Sequence, residues 1–165
     1  LKAVLGANDP YIYYFLWDEG DWHHRNTERN ITEVAKYFPG VVAWIKELVN
    51  TGVIESIGRV IFFHCEHDGK PFEHRDLDGK HGDSQGYTDH RNEFIHIRYS
   101  TKRGFYIWDP EAKNKTYINA NAAFWNDQDW HGGDVSNEQE YGLRIDCVFT
   151  DKFRKQLGID HLSNY

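Results

Sequence analysis

The sequence predicts an α+β domain, a β-sandwich or barrel with helices packed outside it. Three observations carry this. One strong helical period lies in the first third of the chain, at "PGVVAWIKELVNTG". After Gly52 the apolar spacing shifts toward two, and short strand-like runs follow one another between turn signals. Aromatic content is 16% and methionine is absent, and wide rings pack best between the wide layers that sheets provide.

Each element has its own signal. "PYIYYFLW" (10 to 17) is aromatic and β-prone, so it reads as a strand, and the polar "DEGDWHHRNTERN" follows as loop. "ITEVAKYF" reads as a short helix. In the main helix Pro39 suits the first turn. Val41, Ile45, Leu48 and Val49 share one face, and Asn50-Thr51-Gly52 is the stop. "GRVIFFHCEH" is a strand closing on an Asp68-Gly69 turn, and "KPFEHRD" resumes extended. "LDGKHGDSQGYTDHR" is polar, glycine-rich and long for a connection, which marks a functional loop. "NEFIHIRYST" and "RGFYIWD" are strands, "PEAKNK" turns the chain, and "TYINANAAFWND" continues as a strand. "QDWHGGDVSNEQE" reads as loop, "YGLRIDCVFT" as the last strand and "DKFRKQLGI" as a short helical tail.

At 165 residues the chain reads as one domain, 1–165, able to bury its own core. A net charge of −7 argues against a nucleic acid or an anionic membrane as main partner. No apolar run is long enough to span a bilayer and no secretory signal pattern is visible, so a cytoplasmic protein is expected. Cys65 and Cys147 lack metal spacing and sit in strand-like runs, where buried, reduced thiols are expected, with a bridge between neighbouring strands as the alternative. Asn30 and Asn114 begin glycosylation triplets, which are short enough to arise by chance.

The chemistry centres on His74-Arg75-Asp76. Alone, it reads as a charged turn. A mononuclear iron(II) site, however, uses two histidines and one carboxylate and leaves positions open. His-x-Asp supplies two of these ligands. The third would come from His64, His67, His81, His90, His96 or His131. His64 and His67 are three apart on a strand and so face opposite ways. His81 and His90 fall in the polar loop. His131 follows an aromatic strand, with enough chain since Asp76 for several strands to bring both segments to one mouth.

Further along, alternation puts Leu143, Ile145, Cys147 and Phe149 on one face and Arg144, Asp146 and Val148 on the other. If the apolar set faces the helices, Arg144 points inward and needs a partner. A dicarboxylate would serve, as would an internal salt bridge to Asp146 or Asp109. His96, on the face of Phe94 and Arg98, would offer a second polar group to the same anion. Asp109 and Asp127 read as turn residues, and Trp108, Trp125 and Trp130 as core or pocket wall.

Over residues 38–150 these motifs, in order, resemble the Fe(II)- and 2-oxoglutarate-dependent dioxygenases. Within them the nearest likeness is to the aspartyl/asparaginyl β-hydroxylase and proline-hydroxylase-like group. "FPGVVAWIKEL" is similar to the helix before the core, and "IGRVIFFHCEHDGKPFEHRD" to the segment leading into the first ligands. "FIHIRYST" resembles a strand written R-x-H-I-P-L. "NAAFWNDQDWHGGDVSNEQEYGLRIDCVF" resembles the segment with the distal histidine and the arginine strand. The resemblance implies a double-stranded β-helix, a jelly-roll or cupin-like barrel with helices on its larger sheet. It implies Fe(II) held by His74, Asp76 and His131, with 2-oxoglutarate chelating the iron and its far carboxylate on Arg144, helped by His96. It further implies O2 as co-substrate, ascorbate as an accessory reductant and release of succinate and CO2. An unactivated C–H bond of an amino acid, a peptidyl residue or another small molecule would be hydroxylated. Phe94 stands where the group's strand carries Arg, which makes Arg91 and Arg98 candidates for the displaced contact or for substrate. The interval from His131 to Arg144 is longer than is usual there. Two other classes fit the residues: a cupin-like metalloenzyme without 2-oxoglutarate, and a non-catalytic ligand-binding barrel.

Overall fold

The computed structural model describes residues 11–17, 31–65, 73–75, 93–126, 129–135 and 139–159. Two antiparallel sheets make up most of it. The larger has the order β1-β2-β8-β3-β6: β1 Tyr11–Trp17, β2 Ile54–Cys65, β8 Glu140–Phe149, β3 Glu93–Arg98 and β6 Ala122–Asn126. The smaller has the order β5-β4-β7: β5 Asn114–Tyr117, β4 Phe105–Asp109 and β7 His131–Gly133. Two α-helices, α1 Pro39–Asn50 and α2 Asp151–Leu157, accompany them.

Helix α1 forms where its period predicts. Pro39 occupies the first turn, and Gly52 takes a φ of 74° just past the end, a conformation in which a side chain is costly. Ile45 is fully buried, with Val41, Leu48 and Val49 packed beside it. They meet Ile57, Val60, Ile95, Ile145, Cys147 and Phe149 of the larger sheet. Each such side chain contributes roughly 1.5–3 kcal/mol of burial. The odd-numbered face of β8 therefore lies against the helices, as alternation requires.

The opposite face of the larger sheet meets the smaller sheet. Phe94 of β3 and Ala123 and Trp125 of β6 pack on Phe105 of β4, with Ile107 alongside. This second core lines the interior into which Arg144 and His96 project. Both cysteines are buried free thiols.

Several elements differ from the sequence reading. "ITEVAKYF" contains a five-residue 3-10 helix, Glu33–Tyr37, capped by the Thr32 hydroxyl, which accepts from Val34 N at 3.2 Å. "TYINANAAFWND" is divided between β5 and β6, which belong to different sheets. The corner is held by Arg98, which donates to the carbonyls of Ile118 (2.7 Å), Ala120 (2.8 Å) and Arg103 (3.0 Å). "QDWHGGDVSNEQE" contains β7, created by pairing with β4. The helical tail is α2, anchored by a buried fork. Arg154 Nε and Nη2 reach Glu93 at 2.7 and 2.8 Å, and Glu93 also accepts from Phe149 N at 2.6 Å. The loop after Arg75 and the Asp68-Gly69 turn lie outside the described residues. Among the described residues, no helix is long and apolar enough to cross a membrane.

Candidate metal and anion site

His74 and His131 come together across two backbones. His74 N donates to His131 O at 3.0 Å and His131 N to His74 O at 2.9 Å, an antiparallel bridge. Such a pair puts both side chains on one face of the sheet. Their ring centroids are 4.3 Å apart. His131 Nδ1 lies 2.9 Å from the carbonyl oxygen of Asp129. A carbonyl only accepts, so Nδ1 carries a proton, and it is Nε2 that holds the lone pair in the neutral form of the ring, the arrangement that suits a metal-binding histidine. Trp125 and Phe105 pack on the His131 ring at 5.2 and 6.2 Å, walling off one side of the site.

His96 and Arg144 face each other across β3 and β8. His96 is enclosed by Phe63, Phe105 and Trp125, at 5.3, 5.4 and 5.3 Å. Burial, followed by the charges of Arg98, Arg144 and His131, pushes its pKa down to about 3. The ring is neutral at physiological pH. Among the described residues neither of its nitrogens has a hydrogen-bond partner, and neither has Trp125 Nε1. Arg144 lies over the Phe94 ring at 4.4 Å and pairs with Asp146, Nε to Oδ1 at 2.6 Å. Arg59 Nε reaches the other oxygen of Asp146 at 2.8 Å. The salt bridge to Asp146 anticipated for Arg144 is therefore formed, and two guanidinium groups share one carboxylate.

The remaining candidates are distributed as follows. Asp76 and Arg91 lie outside the described residues, as do His67, His81 and His90. His64 stacks on Tyr141 at 4.7 Å, and Arg98 braces the β5–β6 corner with its donors. Asp109 accepts from Glu111 N and Ala112 N, both at 2.9 Å, as a turn residue does. Among the described residues no cluster of three metal-ligating side chains occurs.

One group on the outer face of the smaller sheet was not singled out from sequence. Tyr106 donates to Glu73 Oε1 at 2.9 Å, Lys115 Nζ lies 3.4 Å from the same oxygen, and Lys115 also sits 4.0 Å above the Tyr106 ring. The Tyr106 hydrogen bond, more than any other influence, holds the Glu73 carboxyl below its ordinary pKa, and burial raises that of Tyr106. The signal available in sequence was position alone: Glu73 adjoins His74.

The fold has a solved counterpart. A prolyl hydroxylase from Trichoplax adhaerens, determined in complex with a hypoxia inducible factor oxygen degradation domain peptide fragment, superposes with a TM-score of 0.50. The match covers 98% of this chain and 70% of that one. The fold is prolyl-hydroxylase-like. At 13% identity the likeness is one of fold. No protein-family model matches the sequence, and no curated protein does.

Proposed function

We propose that this protein is an Fe(II)- and 2-oxoglutarate-dependent hydroxylase of an amino acid, a peptidyl residue or another small molecule. The observation that carries this reading is the pairing of His74 with His131 inside a prolyl-hydroxylase-like fold. The donor set fits the metal: two imidazoles on adjacent strands, one with its tautomer fixed by the Asp129 carbonyl. Asp76 would be the third ligand, two positions after His74 and on the same face if the strand continues. Bound iron would supply chemistry that side chains lack, the oxidation of 2-oxoglutarate to succinate and CO2 by O2 coupled to hydroxylation of the substrate with the second oxygen atom.

The chain's own residues would do the rest. His131 would be held in register by Asp129. Phe105 and Trp125 would keep water from one side of the metal. Arg144 would take the far carboxylate of 2-oxoglutarate, with neutral His96 beside it and Asp146 setting the guanidinium orientation. The strand order supports a double-stranded β-helix. With segment 73–75 laid beside β7, the chain crosses between a sheet of β2, β8, β3 and β6 and one of 73–75, β7, β4 and β5 at each step except the β4–β5 pair.

The test is succinate release from 2-oxoglutarate with Fe(II) and ascorbate, alone and with panels of amino acids and peptides, read alongside a mass gain of one oxygen. His131→Ala should abolish both, and wild-type protein that binds no iron would refute the reading. The Arg144–Asp146 ion pair favours a second reading, a cupin-like metalloenzyme without 2-oxoglutarate. Iron binding with no calorimetric response to 2-oxoglutarate would select it.

A further inference from the structure

We propose that Tyr106, Glu73 and Lys115 form a strap on the outer face of the smaller sheet that positions His74 against His131 for metal binding. This rests on the metal reading above and concerns residues that touch neither metal nor substrate.

His74 pairs with His131 in an antiparallel bridge, so Glu73 stands opposite Gly132 and Arg75 opposite Trp130. Alternation turns these four to the face away from the two imidazoles. Tyr106 in turn pairs with Gly132 on the other side of β7. A row therefore runs Tyr106, Gly132, Glu73 across three strands. Gly132 leaves this row open: a Cβ there would lie 2.8 Å from the Tyr106 hydroxyl and 3.0 Å from Cζ. The Tyr106 ring crosses β7 over the glycine, and its hydroxyl donates to Glu73 on the far side. Tyr106 is fully buried although it lies on the face opposite the inter-sheet core.

Lys115 of β5 extends the strap. It covers the Tyr106 ring and reaches both Glu73 and Asp134, at 3.4 and 3.7 Å. Tyr117 of the same strand donates to Asp134 at 3.3 Å. On the other flank of His74, Arg75 lies over the Trp130 ring at 5.0 Å. Both neighbours of His74 are thus gripped by residues in or beside β4 and β7. The two hydrogen bonds of the bridge to His131 fix spacing along the sheet; rotation about the bridge is a separate motion, a pivot. A contact on the outer face opposes that pivot and fixes how the inner-face imidazole of His74 meets His131. Groups that hydrogen-bond a metal's ligands typically change its affinity by about 10–100-fold when lost, and a strap acting through the backbone belongs at the lower end of that range.

The test is Co(II) titration of the intact protein, followed by calorimetry and by the visible ligand-field spectrum. Tyr106→Phe and Glu73→Ala should each weaken Co(II) binding about 10-fold and alter the spectrum. Glu73→Gln, which keeps an acceptor for the Tyr106 hydroxyl, should restore near-wild-type affinity and spectrum. Thermal unfolding without metal separates positioning from loss of fold. Should Tyr106→Phe not fold, Lys115→Met decides by the same two readouts. Wild-type affinity and spectrum in Tyr106→Phe (or Lys115→Met) and Glu73→Ala, with binding lost in His131→Ala, overturns the strap and leaves the metal reading standing. Wild-type protein that takes up no Co(II) overturns the metal reading itself, and the strap with it.

Discussion

His96 and Arg144 show how the interior treats a base and a cation placed side by side. The imidazole is held neutral by burial, and the guanidinium is kept charged beside Asp146. A pH dependence follows. Native His96 stays unprotonated down to about pH 3, while an imidazole in the unfolded chain gains its proton near pH ~6.5. Between these values the unfolded state binds a proton that the folded state does not. The stability His96 permits is therefore intact above pH ~6.5 and falls as pH drops through the window, by at most about 1.4 kcal/mol per pH unit. Urea unfolding at pH 7 and pH 5 checks this, with His96→Leu expected to show the flatter profile. For Arg144, replacement by Met removes a charge-assisted contact worth about 1.5–3 kcal/mol. Calorimetry should show 2-oxoglutarate binding weakened at least about 10-fold, and an unchanged affinity would count against that role. Strand alternation alone placed Arg144 and His96 on one interior face. It left open whether Arg144 meets a dicarboxylate or Asp146, because a carboxylate two positions along the same strand satisfies the same pattern.

Among the elements, those with local signals were legible and those made by distant pairing were not. Helix α1 announces itself through Pro39, its apolar stripe and Gly52. β7 does not, because His131-Gly132-Gly133 has little strand propensity and exists by virtue of β4 beside it. The break between β5 and β6 was equally hidden. No glycine or proline marks it, and the Arg98 guanidinium that gathers the corner carbonyls comes from β3. Helix α2 was visible as a polar tail, but its anchor was not. Arg154 reaches Glu93 far back in the sequence, and the pair is buried. Arg154→Leu would strand the Glu93 carboxylate, at a cost of about 3–5 kcal/mol. A lower urea midpoint is the expected result, with much of the loss recovered by adding Glu93→Gln, since an amide costs less to bury than an unpaired charge.

For the molecule as a whole, two sheets enclose a second core, and the paired histidines lie at the β7 edge of the smaller sheet. A metal there would join segment 73–75 to β7 and act as a staple on the native state. Binding to the folded form alone stabilises it by mass action, about 2.7 kcal/mol at a hundredfold excess over Kd. Mn(II) should therefore raise the thermal midpoint of wild-type protein and leave that of His131→Ala unmoved, as scanning calorimetry would record. Helix period, alternation and turn signals repeat along the chain, and they conveyed a β-rich fold with helices packed against its sheets. The long polar stretch after Asp76 has no such period, and Asp76 is proposed as a ligand on its two-residue spacing from His74 alone. The most direct measurement of the central claim is succinate produced from 2-oxoglutarate and O2 by the purified protein, with and without added Fe(II). The proposed function predicts iron-dependent succinate, lost in His74→Ala, Asp76→Ala and His131→Ala alike. Succinate formation that survives in all three variants, or its absence from wild-type protein loaded with Fe(II), would contradict it.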